Sequence, residues 1–295
     1  MSSAKVGLSF CACLLVSPGC ATWLPAGSEP AAASAARSFG VTTPSPDSAG
    51  IETILVRIEG AQAKRLTELW QQIDEQVLTP ELRFAMDKNG IRAGKIACGM
   101  PSLLEQWILQ TEARVGEDPM EQAGFAADVS SFSQLWRCRT NVRKELSVRK
   151  SGAGPISLFY NDTAPKGHVF DEAHFIYAMQ AAPMGDTSAT IRLVPEVQHG
   201  ELVKRVDTAA AGIRLGTRRE SVTWDQLAID LRIQRGDCIV IGPTPESRGL
   251  GEHFFHTKTQ SGEIQPVLLL VRLSESAKDD AFEHPKSDVA TTALR

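Results

Sequence analysis

The chain has 295 residues, 42% of them hydrophobic and 22% charged, with a formal net charge of -4. That balance is ordinary for a globular protein. It excludes a largely disordered chain, a collagen-like repeat, a disulfide-dense scaffold and a multi-span membrane protein. The mild acidity also argues for no nucleic-acid partner, because binding a phosphate backbone draws on concentrated Lys and Arg.

Residues 1–19 read as a signal peptide. Lys5 gives a positive start, and Val6 to Val16 is an apolar run too short to cross a bilayer as a helix. Ser17, Pro18 and Gly19 then lead into Cys20. Small residues ahead of a Cys resemble the lipobox of bacterial lipoproteins, where that thiol receives a diacylglycerol. Ser17 stands where the lipobox usually has Leu. The resemblance implies a lipid anchor at Cys20 and an exported protein held on a membrane, facing the periplasm or the cell exterior. Several acyl chains hold durably where one holds weakly. Residues 20–50 are rich in Ala, Ser, Pro, Thr and Gly, the composition of a flexible spacer. No later stretch is long and apolar enough to be expected as a transmembrane helix.

Residues 51–130 read as the first folded module. Ile51–Ile58 is β-branched and apolar, a strand. Leu66, Leu69, Trp70, Ile73 and Val77 recur at helical spacing. Thr79-Pro80 reads as N-cap and first residue of a second helix, and Asn89-Gly90 as its end. Ile91–Cys98 reads as a strand, and Pro101-Ser102 opens a third helix. The order is β-α-α-β-α.

From Phe132 the apolar period changes to two. Trp136–Arg149 alternates as one strand, broken only by Lys144. Further strands are expected at 155–160, 170–180, 190–198, 201–206, 213–215, 231–233, 238–241, 253–259 and 266–273, with turn signals between them. A short helix is expected at Thr223–Ile229, and His199-Gly200-Glu201 reads as a tight turn. Residues 131–273 thus form an antiparallel β-rich domain, and 274–295 a disordered tail. The expected fold class is α+β: a small β-α-α-β-α module followed by a larger antiparallel β-rich domain, a partial sandwich or open barrel.

Chemistry is sparse. Arg137, Arg139, Arg143 and Arg149 make a basic stripe suited to bidentate contact with carboxylates or phosphates. The partner would be an envelope protein or an anionic glycan or lipid; acids on a neighbouring strand would instead absorb the charge. His253 and His256 stand three apart, and His174 lies near His168, Asp171 and Glu172. On strands such spacings diverge, and zinc needs three or four convergent ligands, so no metal and no cofactor is expected. Cys98, Cys138 and Cys238 are widely spaced without a C-x-x-C, and read as small buried groups. Gly90–Lys95 departs from a phosphate-binding P-loop in length and context, and Ser147-Val-Arg-Lys150 lacks the companion motifs of penicillin-recognising enzymes. Arg235-Gly-Asp237 reads as a hairpin turn.

Two resemblances follow from longer segments. Trp70, Ile73–Gln76, Arg83, Asn89–Arg92 and Gly94, with Val194–Gly200 and Arg235–Gly242, are similar to a family of exported proteins of planctomycete-type bacteria. That likeness would cover 51–273 and implies export without a specific activity. Gly236–Gly242, Gly249–Phe255 and Val267–Leu273 resemble the C-terminal part of secretin pore subunits, though that family's Val-Pro-rich lip motif is missing between them. The leading expectation is a tethered, non-catalytic binding or structural protein of the envelope. The alternatives are an envelope hydrolase with scattered Asp, Glu and His, and a minor component of a secretin-like assembly.

Overall fold

Two antiparallel sheets and a few short helices make up the computed structural model, which describes residues 48–97, 99–117, 133–150, 156–160, 165–184, 188–209, 212–258 and 262–276. These fall within one compact unit, Thr43–Arg295. The fold is α+β and mostly β, with a helical segment over 60–113 ahead of the β-rich part and open sheets rather than a closed barrel. Cys20, the signal-like residues 1–19, Cys98 and the tail beyond Ser276 lie outside the described residues.

Sheet A runs β2-β11-β13-β1-β3, with β12 also pairing β13. Its strands are β1 (Ser48–Arg57), β2 (Ile91–Ile96), β3 (Ser133–Arg139), β11 (Cys238–Pro243), β12 (His256–Lys258) and β13 (Ile264–Ser276). Strands from both sides of residue 130 complete this one sheet, so that position marks no break between sheets. β1 begins at Ser48, inside the expected spacer, and β13 reaches Ser276, pairing with Ala49 at the start of the expected tail.

Sheet B runs β10-β8-β7-β4, and β9 pairs β8. Its strands are β4 (Lys144–Lys150), β7 (His174–Pro183), β8 (Ser188–Ala209), β9 (Gly212–Thr223) and β10 (Ile229–Gln234). β5 (Ile156–Tyr160) and β6 (Pro165–Val169) form a separate hairpin.

The sheets pack face to face. Ile51, Leu55, Leu269 and Val271 from sheet A share a buried cluster with Phe175, Tyr177, Ile191 and Ile229 from sheet B. The other face of sheet A is covered as well. There Ile54, Val56, Val240, Leu268 and Leu270 meet Leu66, Leu69 and Trp70 of α1 (Leu66–Trp70) and Leu104 and Trp107 of α3 (Ser102–Glu117). A side chain such as Leu270 contributes about 1.5–3 kcal/mol through burial.

α2 (Pro80–Lys88) forms as the sequence predicts. Thr79 Oγ1 accepts the Leu82 N–H at 3.3 Å, Pro80 fills the first turn and Gly90 takes φ +73° past the end. The exit loop then locks to a distant segment. The Asn89 carbonyl accepts from Gly251 N at 2.8 Å, and the Gly90 carbonyl from Thr244 N at 3.0 Å.

Five expectations change. Trp136–Arg149 is not one strand: a turn with Asn141 at φ +63° splits it into β3 and β4, which join different sheets. The segment expected as strand from His253 is the end of α4 (Gly249–Phe255), and only His256–Lys258 is extended. Gly200, at φ +71°, sits at a register shift inside β8 rather than at a hairpin. Arg235-Gly236-Asp237 does turn, with Gly236 at φ +93°, but it carries the chain from sheet B to sheet A instead of closing a hairpin. Asp237 holds that crossing, accepting from Gln234 N at 3.1 Å and pairing with Lys95 at 3.1 Å. The expected helix at Thr223–Ile229 shrinks to a single 3-10 turn, Asp225–Leu227.

Candidate functional site

The β3–β4 turn disperses the basic stripe. Arg137 and Arg139 are exposed on β3, the edge of sheet A. Arg143 binds Glu196 at 2.7 Å and Glu145 at 3.3 Å, so its charge is absorbed by acids on the neighbouring strands. Arg149 donates to the His253 carbonyl at 3.1 Å, closing the C-terminal end of α4. Arg137 and Arg139 thus lie on a strand of sheet A, Arg149 on a strand of sheet B and Arg143 in the turn between them.

A different set converges on the outer face of sheet B. A groove of about 460 Å³ is lined by Glu145, His174, Gln198, Leu202, Thr217, Arg218 and Arg219. Cross-strand pairing explains the convergence. His174 stands opposite Gln198, Gln198 opposite Ser221, and Lys150 opposite His174. Outward residues two apart on β9 then bring Arg219 and Thr217 to the same side.

The charge within this groove is uneven. Arg219 pairs with Glu172 at 2.9 Å and donates to the Gly200 carbonyl. Arg218 and Lys150 are exposed, with no ion-pair partner among the described residues. His174 titrates below the ordinary histidine range. Partial burial is the chief cause, Arg219 and Lys150 add repulsion of its proton, and Glu172 works against them. A neutral His174 beside Gln198, Thr217 and two guanidinium groups offers donors and positive charge to an anion.

The other histidines are placed by packing. His253 stacks on Phe175, with ring centroids 5.9 Å apart and planes 9° apart. His256 follows α4 in extended backbone, half-buried, and burial holds its pKa below the usual value. Among the described residues no three His, Cys, Asp or Glu come together as a metal-holding group. Cys138 and Cys238 are free and buried, and burial pushes their thiols up to about 11 and about 12. Among the described residues no helix is long and apolar enough to cross a membrane.

Sequence reading missed Arg218, Arg219, Gln198 and Thr217. The available signal was the Thr217-Arg-Arg219 run on a strand, but its strand partners lie too far away in sequence to be inferred. Compared with protein-family models, curated proteins and solved structures, the chain matches none.

Proposed function

We propose that this chain is an exported, lipid-anchored binding protein of the bacterial envelope, and that the groove on the outer face of sheet B takes an anionic glycan. The observation that carries the reading is Arg218. It stands exposed in the groove without an ion-pair partner among the described residues, whereas the other guanidinium lining the groove, Arg219, is paired with Glu172. A guanidinium without a carboxylate partner is a ready bidentate site for a sugar carboxylate or phosphate. Gln198, Thr217 and His174 supply the polar contacts that hydroxyl groups need. Export and anchoring rest on the signal-like start, Cys20 and the spacer composition.

Binding of a uronic-acid hexamer to the full chain, set against a neutral hexamer of the same length, tests the groove. The acidic hexamer binds and the neutral one does not; equal affinity for both contradicts the reading. Anchoring is tested in cells, where Cys20→Ala moves the protein from the membrane fraction to the soluble fraction. Unchanged partition contradicts it.

One observation favours a second reading, a subunit of a strand-sharing, secretin-like assembly. β7 pairs β8 only as far as Gln198, so β8 continues to Ala209 with β9 as its only strand partner among the described residues. A two-stranded ribbon is marginal alone, and its open edges are templates for another chain. A discrete oligomer in mass measurements of the full chain supports this reading, and a monomer at all concentrations contradicts it.

A further inference from the structure

A second cavity lies where α2 and the 3-10 turn Glu75–Val77 cover β2. It has a volume of about 240 Å³. Its floor is apolar, formed by Leu78, Met86, Ile91, Ala93 and Pro245. Its rim carries four charges that are unequally matched. Arg92 makes a bidentate pair with Glu75, at 2.9 and 2.7 Å, and lies over the Trp70 ring at 4.7 Å. Asp87 is held by Arg248 at 2.9 Å. Arg83 remains. Its Nε is buried without a hydrogen-bond partner, and no carboxylate among the described residues pairs with it.

A buried donor left without a partner is destabilising, and more so on a charged group. The usual resolution is a partner, and the two acids that line the cavity, Glu75 and Asp87, are already committed to Arg92 and Arg248. We propose that this cavity binds a small aliphatic carboxylate, with its charged head on Arg83 and its hydrocarbon body on the floor of Met86, Ile91 and Ala93. The volume suits a short acid and excludes a polymer, so this site is separate from the groove on sheet B. The Glu75–Arg92 pair fixes one wall and leaves Arg83 as the only uncompensated charge there among the described residues. One ligand anion therefore satisfies the cavity, and a dianion overfills it.

The test is titration of the full chain with acetate, propionate and butyrate, read by calorimetry and by the shift in thermal midpoint at matched ionic strength. Affinity rises about fourfold per methylene as the floor is covered. Butanol, of the same size without the charge, does not bind. Arg83→Met weakens butyrate at least about tenfold, the loss expected for one charge-assisted hydrogen bond, and Arg83→Lys retains part of the affinity. The proposal is overturned by any of three results: butyrate acts no differently from sodium chloride, butanol binds as well as butyrate, or a folded Arg83→Met binds butyrate like the wild type. The butanol comparison needs no variant and decides the matter even if Arg83→Met fails to fold.

Discussion

Sheet A and sheet B differ in what covers them, and the sequence of each strand records the difference. The centre of sheet A lies between helices and sheet B, so both faces of β11 and β13 are dry there, while its edge strand β3 is largely exposed. All residues of β11 are buried, and so is the run Val267–Val271 of β13. In sheet B the burial is mixed: β7 is buried throughout Phe175–Met179 and β8 throughout Leu193–Val197, while the edge strand β10 keeps one exposed face. In β10 the buried residues Ile229, Leu231 and Ile233 alternate with exposed Asp230, Arg232 and Gln234. Antiparallel strands lose their alternation when a second layer covers them. Both sheets contribute to the shared core, and solvent-facing side chains on sheet B are found on β10 and at the groove lined by His174, Gln198 and Arg218, where a recognition surface has room.

Substitutions can break that contrast. Leu270→Ala empties a fully buried position on the helix-covered face of sheet A and lowers stability by about 2–5 kcal/mol. Asp230→Ala removes an exposed pair with Arg192 and costs under about 1 kcal/mol. Denaturant midpoints of the two variants check this, and equal losses contradict it. A smaller effect tests the lock between α4 and the α2 exit loop. A Cβ on Gly251 would overlap the Gly90 carbonyl, so Gly251→Ala costs about 1–3 kcal/mol. Gly262→Ala has open space and pays only for its positive φ of +83°, about 1–2 kcal/mol, so the order of the two thermal midpoints separates packing from backbone strain.

Acid sharpens the comparison further. His256 and His174 titrate below 6.5 in the folded chain, in both cases chiefly through burial. Below pH 6.5 the unfolded chain therefore takes up protons that the folded chain refuses, and stability falls as pH drops. For His256 the facing groups are mixed: the Gly251 and Glu252 backbone and the Glu252 carboxylate favour the proton, and Arg149 opposes it. His256→Asn flattens the fall in denaturant midpoint between neutral and acidic pH; an unchanged slope contradicts the assignment. The smallest effect is chemical. With thiols pushed up to about 11 and about 12, Cys138 and Cys238 resist maleimide at neutral pH until the chain unfolds.

Much of the architecture was legible because burial leaves periodic traces. The capped α2, the β1 strand and the apolar runs of β11 and β13 follow from local chemistry alone. The failures have specific causes. Thr140–Arg143 keeps the alternating pattern of its neighbours, so the turn there was masked, and Asn141 at positive φ was its one local signal. His253–Phe255 is short and aromatic, and reads as the start of the 253–259 strand until Leu250 and Phe254 are placed one helical turn apart. Gly200 and Gly236 carry the same turn signal, yet one bulges a strand and the other passes the chain between sheets. Those outcomes depend on which strands become neighbours. The candidate groove was illegible for the same reason, since it joins Glu145, His174, Gln198 and Arg218 from four strands.

The most direct measurement compares the groove on sheet B with the exposed arginines at the edge of sheet A. Affinity for the uronic-acid hexamer is measured for the full chain, for Arg218→Ser, and for Arg137→Ser combined with Arg139→Ser. The account predicts a loss of about tenfold for Arg218→Ser, as for one charge-assisted contact, and wild-type affinity for the pair on the sheet A edge. Undiminished binding by Arg218→Ser, with the loss appearing at Arg137 and Arg139 instead, would contradict it.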